Sequence, residues 1–325
     1  MTMTETRSGL IASAVLFALT IGCGGEKKLI TVDGSSTVYP ITQAVAEEFQ
    51  KANKNINVTV GISGTGGGFK KFCNGETQIS DASRPIKKSE IEKCAEKKIE
   101  YIELPVAYDG LSVVVSRQND FAQDITVEEL KKAFGDTSVK TWKDIRASWP
   151  AEPVKIYSPG QDSGTYDYFV EAILGKDAKV RGDAVFSEDD NVLVKGVSGD
   201  KNALGFFGVA YYEENLDKLR AVAVVNPKTK KAELPTIENV MSGVYAPLSR
   251  PVFIYVAKAA YEKEEVRNFV NFYLDNASKL VKQVGYIPLN PEEYSLLKKY
   301  FAAGKPGAPA ADTHGGHLEI MKLYQ

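Results

Sequence analysis

The chain reads as an α/β protein, and three observations carry that reading. Short strand-like apolar runs alternate with stretches of helical period along most of the length, the order of strand, loop and helix units. The run Leu111-Ser112-Val113-Val114-Val115 is apolar almost throughout, as a strand covered on both faces should be. Three clusters of small hydroxyl and glycine residues each stand directly in front of a helix-like stretch. They are Asp33-Gly34-Ser35-Ser36-Thr37-Val38, Ser63-Gly64-Thr65-Gly66-Gly67-Gly68 and Gln161-Asp162-Ser163-Gly164-Thr165.

Leu29–Val32 is a strand that ends in the first cluster. Pro40 suits a first helical turn, and Ile41, Ala44, Val45 and Phe49 follow at helical spacing, so a helix is predicted over Ile41–Ala52. Asn57–Gly61 alternates as a strand into the second cluster, with a helix beginning at Phe69. Gln78–Asp81 is a short strand end. Thr126-Val127-Glu128-Glu129 is a capping box that opens a helix to Phe134. Val154–Tyr157 is a strand into the third cluster, with a helix over Tyr166–Leu174. Leu204–Val209, Ala221–Val225 and Pro251–Ala257 are further strands, the last followed by a helix carrying Val266, Phe269, Val270 and Tyr273. From Ala302 onward, Lys305-Pro306-Gly307-Ala308-Pro309 has loop or linker composition.

At 325 residues and 43% hydrophobic, the chain can bury a large core and suits two domains better than one. A formal charge of −2 excludes nucleic-acid and polybasic membrane binding by composition. Any anion site must therefore be local. Residues 1–22 have the layout of an export signal, with Arg7 ahead of an apolar run from Leu10 to Leu19 that is too short to span a membrane. Leu19-Thr20-Ile21-Gly22-Cys23 resembles a lipoprotein cleavage box, except that Thr20 stands where Leu is usual. Either Cys23 becomes a lipidated first residue or it is left over from an ordinary cleavage. Residues 23–28 form a linker. Cys73 and Cys94 then remain, either as a disulfide in an exported protein or as buried thiols. A bridge closing a loop of about 20 residues adds about 3 kcal/mol in the chain-entropy model. No His or further Cys lies near them to complete a metal site.

A helix start exposes unpaired N–H groups and a partial positive charge, and nearby hydroxyls add donors. One such cluster is an ordinary cap; three together suggest a pocket that wraps an oxyanion in neutral donors. The second cluster is neither a P-loop, which needs Gly-Lys-Ser/Thr, nor a dinucleotide fingerprint, since Phe69 replaces the third Gly. Thr65 in place of the last Gly also rules out a nucleophile elbow. Asp81-Ala82-Ser83-Arg84-Pro85 adds an acceptor and a cation. A carboxylate beside a bound oxyanion is favourable only if the ligand brings a proton, as phosphate does and sulfate does not; an acceptor left without a donor costs about 1–3 kcal/mol. The two histidines, His314 and His317, lie in the Gly-rich tail and suit neither a hydrolase base nor a metal site.

Thr31-Val32-Asp33-Gly34-Ser35-Ser36-Thr37-Val38-Tyr39-Pro40, Ser63-Gly64-Thr65-Gly66-Gly67-Gly68-Phe69-Lys70, Ile79-Ser80-Asp81-Ala82-Ser83-Arg84-Pro85-Ile86 and Asp162-Ser163-Gly164-Thr165, in this order, resemble the substrate-binding protein of bacterial ABC-type phosphate importers. The resemblance implies a two-lobed periplasmic-binding fold of type II, with mixed sheets flanked by helices and phosphate in the cleft. Lobe one would comprise 29–108 plus 247–325 and lobe two 109–246, with crossings near Tyr108–Gly110 and Tyr245–Arg250. The implied phosphate ligands are Thr37, Val38, Ser63, Thr65, Gly66, Ser163, Gly164 and Thr165, with Asp81 as acceptor. Pro159 stands where family members carry a phosphate-contacting Arg, so Arg84 is expected to supply the cation. The implied role is phosphate binding outside the cytoplasmic membrane and delivery to the permease subunits of an ABC importer, by a monomer without cofactor, metal or catalysis. Sulfate or molybdate in the same fold, or a secreted phosphoester hydrolase, are the alternative readings.

Overall fold

The computed structural model of the chain describes residues 1–2, 27–161, 163–175, 178–187, 189–311, 313 and 318–325. The export signal after residue 2, Cys23, Asp162, His314 and His317 lie outside the described residues. The fold is α/β, with a ten-stranded mixed sheet in two halves. Tyr101–Ser116 belongs to both halves and is buried at every position. Its first part pairs antiparallel with Ser249–Ala257, from Tyr101 opposite Ala257 to Gly110 opposite Ser249. Its last part pairs antiparallel with Ala203–Gly208, from Leu111 opposite Gly208 to Val115 opposite Leu204. The change of partner falls between Gly110 and Leu111. The expected run Leu111–Val115 is thus the second part of a longer strand, whose burial continues unbroken back through Gly110 and Asp109.

The first half continues from Ser249–Ala257 to Ile79–Ala82, Lys28–Gly34 and Ile56–Ile62, the last three mutually parallel. The second half continues from Ala203–Gly208 to the parallel strands Lys155–Pro159 and Val185–Ser187. Helix Tyr39–Ala52 buries Ile41, Val45, Ala46 and Phe49 along one stripe. Phe49 meets Phe269 and Phe272 of helix Glu264–Gln283 edge-on, with centroids 5.3 and 5.4 Å apart. In the other half Phe169 stacks on Phe206 at 3.8 Å. Each such ring contributes about 1.5–3 kcal/mol by burial. The capping box forms as expected: Thr126 Oγ1 accepts from Glu129 N at 3.1 Å and the Glu129 carboxylate from Thr126 N at 2.9 Å. Cys73 and Cys94 form the bridge, which joins helix Gly64–Cys73 to helix Lys88–Glu96.

Two expectations are corrected. The second cluster is not a loop ahead of a helix at Phe69; the helix starts at Gly64 and contains Gly66, Gly67 and Gly68. Close packing outweighs the poor helix propensity of these residues. A Cβ on Gly68 would lie 2.5 Å from Gly34 Cα and 2.9 Å from Ser80 Oγ, so only glycine lets this helix rest directly on the strands. The C-terminal segment is not a linker either. Gly307 bridges to Ile102, accepting from Glu103 N and donating to Tyr101 O, and Ala310, Leu318, Ile320 and Tyr324 are buried. The anchor is Glu103, a fully buried carboxylate. It accepts from Tyr255 Oη at 2.6 Å, from Tyr324 Oη at 2.7 Å and from Ala310 N at 2.7 Å. A buried carboxylate must be hydrogen-bonded, and two of its three donors come from the chain's end.

Two variants test these packing arguments. Tyr324→Phe should lower stability by about 1–3 kcal/mol in urea unfolding, the cost of a buried acceptor losing a donor. Gly68→Ala should destabilise by about 1–3 kcal/mol through overpacking, although propensity alone predicts a gain of about 1 kcal/mol.

Candidate anion-binding site

Parallel pairing sets the site. Gly34 lies opposite both Ile62 and Asp81, so the strands Lys28–Gly34, Ile56–Ile62 and Ile79–Ala82 end on one edge. The chain segments that leave them therefore emerge together. In open α/β sheets this carboxyl edge is where ligands bind. Here helices Tyr39–Ala52 and Gly64–Cys73 both start at it.

A cavity of about 900 Å³ opens at this edge. Its first wall is made by Ser35, Ser36 and Thr37, by Gly64, Thr65 and Gly66, and by Ser83, Arg84 and Lys87. The opposite wall is Asp167, Tyr168, Val170, Glu171 and Gly175, and Arg250 completes the lining. The first N–H groups of a helix have no carbonyl four residues back. Helix Gly64–Cys73 has no side-chain cap, so its start presents N–H donors and the positive end of the helix dipole; at helix Tyr39–Ala52 the first N–H groups are taken, Tyr39 N by Ser35 O and Ile41 N by Val38 O, and Pro40 has none. Thr65 Oγ1 and Ser83 Oγ share a hydrogen bond of 3.0 Å, which fixes two hydroxyls side by side.

Two guanidinium groups flank these donors. Arg84 is held by Glu90 through paired bonds of 2.9 and 2.8 Å, with Nη2 4.0 Å from where a Gly66 Cβ would stand. Glu90 also accepts from Lys87 N at 2.9 Å, so one carboxylate shapes the whole Arg84–Lys87 turn. Arg250 donates to Thr37 Oγ1 at 2.9 Å, to the buried Asp109 at 3.4 Å and to Glu171 at 3.3 Å. Its guanidinium lies 3.5 Å over the Tyr168 ring. The walls touch each other: Ser36 Oγ donates to Asp167 Oδ2 at 2.7 Å and Thr37 Oγ1 to the Gly164 carbonyl at 3.4 Å. A Cβ on Gly164 would sit 2.7 Å from Thr37 Cα, so glycine is required for this approach.

Of the residues expected from sequence, Thr37, Thr65, Gly66 and Arg84 line the cavity. Val38 is fully buried behind it as the cap of its helix. Ser63 turns away and donates to Asp33, which also pairs with Lys71 at 2.6 Å. Ser163, Gly164 and Thr165 are not among the lining residues; Ser163 caps its own helix by accepting from Thr165 N at 3.2 Å, and Gly164 packs on Thr37. The structure does not bring Asp81 into the cavity. Its strand lies between two others, which directs the carboxyl under helix Tyr39–Ala52. Asp81 is fully buried and its Oδ1 accepts from Thr42 Oγ1 at 3.0 Å, while Oδ2 has no partner among the described residues. Arg84 is not the sole cation: Arg250, Lys87, Ser83 and the acids Asp167 and Glu171 were missed. Ser83 lay inside a quoted motif. Arg250 had one signal, a lone charge heading the apolar run Pro251–Ala257 at an expected crossing.

Burial, opposed by the Thr42 bond and aided by the negative charge of Asp33, pushes the Asp81 carboxyl up to about 7. An acid whose pKa is higher folded than unfolded holds its proton more tightly in the fold. Its contribution is therefore complete below the unfolded value near 4 and is lost as pH rises through about 7. Relative to Asp81→Asn, the wild-type protein should lose stability between pH 4 and 7 by up to about 1.4 kcal/mol per pH unit. Urea midpoints of both proteins across that range check the sign.

A two-part α/β sheet with a cavity lined by hydroxyl and guanidinium groups at the carboxyl ends of its strands fits a solute-binding class of protein. The comparisons agree. A model described as a PBP superfamily domain matches residues 22–277, and the chain belongs to that superfamily. It is 56% identical over 301 residues to Protein SphX of Synechococcus elongatus, covering 91% of this chain and 88% of that one. It is 41% identical over 265 residues to the phosphate-binding protein PstS of Staphylococcus saprophyticus, covering 81% of each. A crystal structure of a possible phosphate binding protein from Planctomyces limnophilus superposes with a TM-score of 0.83 at 44% identity, covering 86% of this chain and 99% of that one.

Proposed function

We propose that this chain is the phosphate receptor of an ABC-type importer, binding inorganic phosphate outside the cytoplasmic membrane and handing it to the permease. The observation that carries this reading is the convergence of the uncapped start of helix Gly64–Cys73, the hydroxyls of Thr37, Thr65 and Ser83, and two guanidinium groups on one cavity. Relatives named as phosphate-binding proteins support it. Fixed dipoles hold an anion without building charge that would prevent its release. Such a site suits binding rather than turnover, so the chain acts as a carrier and not an enzyme.

Thr37, the N–H groups of Gly64–Gly66, Thr65, Ser83, Arg84 and Arg250 are the proposed phosphate ligands, with Val38 contributing at most its backbone. Ser163, Gly164 and Thr165 act by closing the second wall onto Thr37. The acceptor that checks for a proton falls to Asp167, which lines the cavity with one oxygen engaged by Ser36. Asp81 tunes the helix start from beneath. The lobes are assigned as 29–108 with 247–325, and 109–246. The partner change at Gly110 supports this division, and binding closes the lobes about that crossing. Export and lipidation at Cys23 remain part of the proposal, as does a monomeric state.

Isothermal titration tests the reading. Wild-type protein should bind phosphate, and sulfate at equal concentration should not displace it; displacement would sink the proton-acceptor argument, and no phosphate binding would sink the function. Arg250→Lys keeps a charge for Asp109 but loses the planar fork. It should weaken phosphate binding by about 10- to 100-fold, since hydrogen bonds to charged groups contribute about 1.5–3 kcal/mol.

A further inference from the structure

We infer that Glu171 is an internal competitor of phosphate: its carboxylate holds one edge of the Arg250 guanidinium and is displaced when phosphate takes that edge, which limits affinity and favours release. The inference rests on the phosphate reading above and adds a residue that sets how tightly the site holds its ligand. Three observations carry it.

The first is the accounting of one fork. Arg250 gives Nε to Asp109 at 3.4 Å, Nη2 to Thr37 Oγ1 at 2.9 Å and Nη1 to Glu171 at 3.3 Å. The donors of a guanidinium lie in one plane and point in fixed directions, so the three partners occupy separate edges. Asp109 and Thr37 are buried, whereas the Glu171 side chain is 62% exposed. Glu171 is therefore the partner that an anion in the cavity meets on this fork.

The second is ease of exchange. Burial, not distance, separates the two carboxylates. A buried carboxylate that loses its cation is left uncompensated, so Asp109 is held in place. An exposed ion pair contributes little, and the Glu171 carboxylate has no other partner among the described residues to keep it there. Phosphate brings more acceptor oxygens and more charge than one carboxylate. It can take Nη1 from Glu171 while Nε stays with Asp109.

The third is placement. Glu171 stands in a π-helical turn, Val170–Leu174, that continues helix Gly164–Phe169, with Gly175 N donating to Val170 O at 2.8 Å. Such turns are rare and frequent at functional sites. Tyr168, just before it, packs its ring 3.5 Å from the guanidinium and donates its hydroxyl to Pro247 O at 2.9 Å. The turn is thus tied to the segment carrying Arg250 by contacts that do not involve the Glu171 carboxylate. That carboxylate can leave without loosening the wall.

The test is calorimetry on the full chain freed of bound phosphate, titrated with orthophosphate, for wild type, Glu171→Gln, Arg250→Lys and the double variant. Glu171→Gln should tighten binding by about fivefold, the scale of one exposed ion pair; loss of a merely structural contact would weaken it. In the Arg250→Lys background the single ammonium is committed to Asp109, and the same change should gain less than about twofold. Should Arg250→Lys fail to fold, Glu171→Asp decides: it keeps the charge on the wall, shortens the reach by one methylene and should tighten binding by at least about twofold. Unchanged or weaker binding by Glu171→Gln, an equal gain in both backgrounds, or Glu171→Asp matching wild type overturns the inference and leaves the phosphate reading standing. If wild-type protein does not bind phosphate, the phosphate reading itself has failed.

Discussion

The structure depends on one strand being hydrogen-bonded into two halves of a sheet. Tyr101–Ser116 gives its first ten residues to Ser249–Ala257 and the rest to Ala203–Gly208. Each backbone group of such a buried strand must find a partner, and at Gly110 that partner passes from one half of the sheet to the other. Arg250 sits at this crossing, opposite Asp109 in the register. It is 8% exposed and Asp109 5%, and removing either partner from such a pair costs about 3–5 kcal/mol. The charge that the fold needs to neutralise Asp109 is thereby also the charge that lines the cavity and bonds Thr37. Stability and anion binding meet in one side chain.

A second constraint is closeness. The first wall is built by helices laid almost directly on strands, and glycine is the means. Gly68 lies against Gly34 and Ser80, and Gly164 lies against Thr37. Side chains at these points would hold helix Gly64–Cys73 off the strands and the Gly164 segment off Thr37, and the donors would no longer face a common space. The disulfide and the Glu90 contacts then hold the Arg84–Lys87 turn against the same helix. The neutral donors are thus placed by packing, and the cations are placed by carboxylates outside the cavity.

Much of the site was legible as motif and little of it as contact. Thr37, Thr65 and Gly66 were found because three hydroxyl and glycine clusters together point to one pocket although each alone is an ordinary cap, and Arg84 because Pro159 left a cation to be supplied from elsewhere. Asp81 was placed in the pocket because its chemistry suited a protonated anion. Its strand instead buries it under Thr42, and it is not among the residues that line the cavity. The glycine-rich helix was misread for a similar reason: propensity counts the cost of three glycines, whereas contact with Gly34 rewards them. Residues 304–325 looked like a linker because Pro, Gly and Ala carry no periodic signal, yet Glu103 recruits Ala310 and Tyr324 from across the sequence.

What the sequence determined by itself is local. Strand, loop and helix order, the capping box at Thr126 and the three helix-leading clusters follow from periodicity and from the chemistry of single turns. The resemblance added the superfamily. Only the tertiary structure decided which of those clusters face a ligand and which face each other, and which cation joins them. Such pairings span long sequence separations, as between Arg250 and Thr37 or Tyr324 and Glu103. No period or local motif records them; they are fixed by strand register and by the need of every buried charge for a partner.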